Sequence, residues 1–117
     1  MNAHDLLQLT VKACNDKKAE EIVVLNMKGI SLIADYFVIC HANNPKQVQA
    51  ICHEIKEKAD EKGIAVKRLE GFDEAKWVLI DIGDVVAHVF HRDERSYYNL
   101  EKLWGDAPRE DVSEWLA

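Results

Sequence analysis

The chain alternates between two hydrophobic periods, and each change of period marks an element. Between residues 77 and 91 the period is two: Trp77–Ile82 and Val85–His91 are apolar runs separated by Gly83-Asp84. Gly followed by Asp between β-rich runs predicts a hairpin, because glycine supplies the positive φ of a tight turn. Successive side chains on a strand point to opposite faces. Val78, Ile80, Ile82, Val85, Ala87 and Val89 then share one wholly apolar face, the expected core side. Trp77, Leu79, Asp81, Val86, His88 and Phe90 share the other, which mixes rings, a carboxylate and an imidazole. That mixture suits neither a dry core nor a plain solvent face. Two readings stay open: a docking surface, or a face covered by the chain's own C-terminal helix or tail.

Elsewhere the period is that of a helix or of a short strand. Residues 2–15 place Leu6, Leu9 and Ala13, with Leu7, Val11 and Cys14, on a broad apolar stripe, which predicts a helix ended by Asn15-Asp16-Lys17-Lys18. Glu21–Met27 and Tyr36–His41 read as strands, with an ambiguous stretch, Ile30–Asp35, between them. Asn44 is a good N-cap, Pro45 suits the first helical turn, and Gln47 stands where a capping-box residue would. Val48, Ile51, Cys52, Ile55 and Ala59 continue that helix to a stop at Gly63. Ile64–Leu69 reads as a short strand, Arg92–Ser96 as one helical turn, and Tyr97–Trp104 as a helix. Residues 1–107 form the expected domain, and 108–117 an acidic tail carrying Val112, Trp115 and Leu116, which docks or frays. The order of elements predicts a single α/β domain with a mixed sheet of about five strands flanked by helices.

Composition narrows the classes. At 117 residues and 48% hydrophobic, the chain can bury a real core and is not disordered by composition. No apolar run reaches the roughly 18 residues needed to span a membrane, and the N-terminus lacks a signal-peptide pattern, so the expected location is the cytoplasm. Cys14, Cys40 and Cys52 form no CxxC pair and read as free thiols. Charge is uneven: residues 1–69 carry a net charge of +1 and residues 70–117 a net charge of −7. An acidic C-terminal half argues against a phosphate-backbone binder, which would need a basic face, and permits a basic protein partner; no sequence-specific nucleic-acid binding is expected.

No catalytic constellation emerges. His88 and His91, three apart on a strand, point to opposite faces and cannot share one ion; Cys40-His41 and Cys52-His53 have the same difficulty. Asp81 and Asp84 flank the hairpin turn as D-x-x-D, not as alternating residues on one strand that would hold Mg²⁺ against phosphates. Neither a G-x-S-x-G motif nor a glycine-rich phosphate loop occurs. The expectation is no enzyme, no metal and no cofactor. The alternative kept beside it is a nucleotidyl-transferase relative with a Mg²⁺–nucleotide site.

Several motifs, in order, carry a family likeness. They are Ala34-Asp35-Tyr36-Phe37-Val38-Ile39-Cys40, Gln47-Val48-Gln49-Ala50-Ile51, Glu70-Gly71, Trp77, the run from Asp81 to Phe90, Arg95, Tyr97-Tyr98 and Leu100-Glu101-Lys102-Leu103-Trp104. Together they resemble the ribosomal silencing factor (RsfS, or Iojap-like) family across roughly residues 3–107. The family usually has a small residue and Ser before the long helix, where this chain has Asn43-Asn44-Pro45.

The resemblance implies a nucleotidyl-transferase-like α/β fold without the catalytic residues. It implies binding to the large ribosomal subunit through ribosomal protein L-fourteen, a steric block to small-subunit joining, and repression of translation when nutrients are scarce. It also implies a homodimer when free. The expected partner surface is the outer hairpin face and its flanks. Trp77 and Phe90 are the hydrophobic anchors, joined by Lys76, Leu79 and His88, with negative charge from Glu70, Asp73 and Asp81. Tyr98, Leu100 and Trp104 either extend this surface or pack beneath the sheet.

Overall fold

The structure is a computed structural model and describes residues 1–116. The tail reading also included Ala117, which lies outside the described residues. Helix α1 spans Ala3–Asp16, and the Asn2 side chain caps it by accepting from the Asp5 N–H at 2.8 Å. Strand β1 is Glu20–Asn26 and β2 is Tyr36–Ala42. Helix α2, Pro45–Glu61, begins as its sequence predicts, with Asn44 Oδ1 accepting from the Gln47 N–H at 2.9 Å. Its C-terminal turn closes on Gly63, at φ +71°, with the Ile64 N–H donating to the Ala59 carbonyl at 2.9 Å. Gln47 does not complete a capping box: its side chain donates to the Lys17 and Lys18 carbonyls just past α1. Carbonyls at a helix end lack intrahelical donors, and that need takes Gln47.

Strands β3 (Arg68–Glu70), β4 (Trp77–Asp81) and β5 (Val85–His91) follow, then α3 (Arg92–Tyr98), α4 (Leu100–Leu103), β6 (Arg109–Glu110) and a 3₁₀ turn at Ser113–Trp115. The six strands form one mixed sheet in the order β3-β4-β5-β2-β1-β6. Its central pair, β2 and β5, is parallel. A parallel pair needs a crossover connection, and the chain between these strands contains α2. The β4–β5 hairpin has the expected register, with Val78 opposite Val89, Ile80 opposite Ala87 and Trp77 opposite Phe90. The turn closes through the Ile82 N–H to the Val85 carbonyl at 3.1 Å.

One face of the sheet packs under α1 and α2. There Val38, Cys40, Val78, Ile80, Val85, Ala87 and Val89 meet Leu7, Val11, Val48, Ile51 and Ile55 in a dry aliphatic cluster. Cys14, Cys40 and Cys52 are buried free thiols. The opposite face forms a second cluster, Leu25, Met27, Phe37, Ile39, Val86 and Phe90, overlaid by Leu100 and Ala107.

Three expectations change. The expected sheet of about five strands has six, because residues 109–110, read as tail, pair with β1, Val24 facing Glu110, while Val112 is buried in the main core. A two-residue strand is too short to leave an alternating pattern. Strand β3 is shorter than the expected 64–69, because Ile64 and Val66 pack on the core from irregular backbone before edge pairing begins. The helix expected over 97–104 breaks at Asn99, whose φ of +45° ends α3. Asparagine is among the few side chains that tolerate this left-handed geometry.

Candidate docking face

The second face is only half closed. Helix α3 lies over β5 and β2 and Leu100 of α4 packs in the cluster, while Trp77 and Leu79 on β4 stay partly open. Trp77 and Leu79 on β4 are half-buried, and Tyr98 at the end of α3 is 44% exposed. Trp77 stacks on Phe90 with ring centroids 5.2 Å apart and planes 23° apart, and it meets Tyr98 at 4.6 Å. The indole N–H donates to His88 Nδ1 at 3.1 Å. Phe37 packs against His88 at 4.7 Å and against Trp104 at 6.1 Å. The result is an aromatic plate, Trp77 and Tyr98, lying on a buried aromatic floor.

The expected surface residues therefore divide. Trp77, Leu79, Tyr98 and Trp104 reach solvent in part, and Glu70, Asp73 and Lys76 are exposed. Phe90, expected as an exposed anchor beside Trp77, is 0% exposed. His88 and Leu100 are also buried. The reason is local: Trp77 covers Phe90, and Leu100 turns inward where α4 crosses the sheet. These three support the face from beneath.

The acidic groups divide as well. Arg68 on β3 stands opposite Asp81 on β4. Its Nη1 lies 3.2 Å from Glu70 Oε2 and its Nε 3.6 Å from Asp81 Oδ2. Two of the three carboxylates expected to meet a basic partner thus already hold a cation. Asp73 and Glu74 in the loop before β4 are exposed and make no ion pair among the described residues. That loop is tied down by the Gln49 side chain, which donates to the Phe72 carbonyl at 3.0 Å.

The overlay of α3 and α4 is held by Arg95, the one arginine buried among the described residues. Its Nε donates to Glu101 Oε1 at 3.1 Å and its Nη1 to His41 Nδ1 at 2.9 Å. Burial pushes the His41 imidazole below the usual histidine range, and the Arg95 guanidinium acts in the same direction. Sequence spacing gives no hint of this latch, since 54 positions separate His41 from Arg95. The residues linking β1 to β2 hold a further surprise: Leu32 and Ile33 are exposed aliphatics, although Met27 and Ala34 on either side belong to the second cluster.

Among the described residues, Asp81 and Asp84 do not converge on one site. Asp81 Oδ1 accepts from the Gly83 N–H at 2.9 Å and so serves the turn, while the Asp84 backbone carbonyl accepts from the Asp35 and Tyr36 N–H groups at the start of β2. Among the described residues, no three His, Cys, Asp or Glu side chains are placed to hold a metal ion. No described helix is long and apolar enough to cross a membrane.

Comparison with known proteins adds a family. A family model described as ribosomal silencing factor during starvation matches residues 1–117. The ribosomal silencing factor RsfS of Halalkalibacterium halodurans is 70% identical over 108 residues, 92% of each chain. That of Bacillus subtilis is 67% identical over 112 residues, 96% of this chain and 95% of the relative. A crystal structure of a Bacillus halodurans protein superposes with a TM-score of 0.85 at 64% identity, covering 93% of this chain and 99% of the other.

Proposed function

The chain belongs to the ribosomal silencing factor family, and from that premise we propose that its open sheet face docks on ribosomal protein L-fourteen of the large subunit. A molecule seated there stands in the way of the small subunit, so translation falls when nutrients are scarce. The action takes place in the cytoplasm, and the free chain forms a homodimer, a state that sedimentation velocity checks directly. The observation that carries the reading is the Trp77–Tyr98 plate: two large rings partly open to solvent on a rigid, buried floor. Desolvated aromatics on a rigid support dominate the energy of many interfaces. The exposed carboxylates of Asp73 and Glu74 lie in the loop leading into β4, where they meet a basic partner at the rim.

Trp77→Ala tests the reading. Measured by co-sedimentation with purified bacterial large subunits, its affinity should fall by about thirtyfold or more, equivalent to about 2 kcal/mol. In a reconstituted system the variant should also let the small subunit join. A thermal melt on the same sample separates docking from folding. Unchanged affinity per folded molecule would reject the role of this face.

A further inference from the structure

His88 is the least explained buried group of the molecule. It stands on β5 between Leu79 of β4 and Ile39 of β2, on the docking side of the sheet. Only 4% of it is exposed. Its Nδ1 accepts the Trp77 indole N–H, so Nδ1 carries no proton, and the proton of the neutral ring sits on Nε2. Nε2 is buried and has no partner among the described residues. An aliphatic side chain of similar size would fill this place without burying an unpaired donor. The imidazole's one hydrogen bond goes to the indole, and the Phe37 ring, inclined 64° to the imidazole, packs against it.

The bond also decides what Trp77 presents. A tryptophan has a single donor, its indole N–H, and here that donor is spent inward. What remains for a partner is the part of the half-buried ring that Phe90, stacked on it, and Tyr98, leaning on it, leave open. An electron-rich ring without a free donor attracts cations over its face. Lysine and arginine add an alkyl stem that covers apolar surface while the charged head stays wet. Asp73 and Glu74, four and three residues before Trp77 in sequence, are exposed carboxylates of the loop into β4, which Gln49 ties to α2.

We propose that His88 is a positioning residue for docking: it fixes the Trp77 ring across Phe90 and Tyr98 and consumes the indole N–H, so that the partner engages Trp77 with a lysine or arginine side chain laid along the ring and not with a hydrogen-bond acceptor. The inference rests on the docking reading above and adds the chemistry of its central contact.

Three variants of the full chain test it: His88→Leu, which removes the acceptor; His88→Asn, whose Oδ1 branches where Nδ1 does; and Trp77→Ala. Two quantities are read, the hydrogen exchange of the indole N–H groups by ¹⁵N–¹H NMR and the affinity for purified bacterial large subunits. One wild-type indole N–H should exchange slowly and be absent from Trp77→Ala. In His88→Leu that proton should exchange fast and affinity should fall about fivefold per folded molecule, the folded fraction being read from a melt of the same sample. His88→Asn should restore slow exchange and part of the affinity. If His88→Leu binds like wild type while Trp77→Ala is weakened, the positioning role is wrong and the docking face stands. If Trp77→Ala binds like wild type, the docking reading fails and takes this inference with it. Fast exchange of the Trp77 N–H in the wild-type chain would also overturn the proposal. Should His88→Leu not fold, His88→Met replaces it with the same readouts.

Discussion

The two faces of the sheet are built from the same strands and solve different problems. Under α1 and α2 the face is aliphatic and sealed: Val38, Val78, Ile80, Val85, Ala87 and Val89 are all fully buried. Under α3 and α4 it is aromatic, polar in places and half open, and a buried histidine and a buried arginine take part in holding it. Two helices of 14 and 17 residues cover the first face, while helices of 7 and 4 residues cover the second. Short helices bury little area, so rings and charge-assisted hydrogen bonds carry more of the load there. The first face is sealed against solvent, and the second, where docking is proposed, leaves Trp77, Leu79 and Tyr98 partly open.

The sharpest way to break that contrast is at the centre of the sealed face. Ile80 has no exposure and packs within the helix-covered cluster. Ile80→Ala should cost about 2–5 kcal/mol in denaturant melts. A loss below about half a kcal/mol would mean that the helix-covered face does not dominate the fold.

Gly71, where β3 turns toward β4, links the fold to the open face. Its φ is +80°, and an added Cβ would collide with the Trp77 carbonyl oxygen. Both the left-handed backbone and the collision penalise any side chain. Gly71→Ala should therefore destabilise by about 2 kcal/mol or more, and shift the strand that carries Trp77. A wild-type melt together with wild-type tryptophan fluorescence would show that the loop gives way freely and does not set the position of Trp77.

The open face should also be the acid-sensitive one. Burial lowers the His88 pKa to about 4, against about 6.5 in an unfolded chain. The unfolded chain then binds more protons, so this contribution is complete above about pH 6.5 and is lost as pH falls toward about 4. Between pH 7 and pH 5 the loss amounts to about 2 kcal/mol. Denaturant unfolding of wild type and His88→Leu at both values checks this, since the variant should lose less by about that amount. His41, also lowered, acts in the same direction in both proteins and cancels in the comparison. Equal losses in the two proteins would show that His88 does not titrate across this window.

How legible each face was follows from the kind of signal that built it. The sealed face was readable because alternation around Gly83-Asp84 and the three- and four-residue stripe of Val48, Ile51, Ile55 and Ala59 are local periodicities. Asn44 and Gly63 at the ends of α2 were readable as single local signals, whereas the Gln47 capping box was not, because its side chain goes to the end of α1. On the open face, alternation correctly put Trp77, His88 and Phe90 together, yet it could not say which ring lies on top. Phe90 is floor because Trp77 stacks over it, and Tyr98 and Leu100, on either side of Asn99, fall one on the plate and one in the buried cluster. That break depends on one backbone angle. Arg95 on His41, Arg68 on Asp81, and β6 on β1 are contacts between distant positions, with no periodic trace in a single chain.

The smallest expected effect separates the two roles most cleanly. Arg68 is half exposed and touches the carboxylates of Glu70 and Asp81. Exposed ion pairs contribute about 0–1 kcal/mol. Arg68→Gln should leave the melt within about half a kcal/mol of wild type. On the docking face the same change removes one positive charge and uncovers two carboxylates. For a basic partner this should raise the association rate, and the gain should shrink as salt is added, because rim charges act through screened, long-range attraction. Stopped-flow or surface-based association with large subunits, at low and at physiological ionic strength, reads both. A slower association in Arg68→Gln would mean that Arg68 itself faces an acidic group on the partner, and the charge assignment of this edge of the face would have to be reversed.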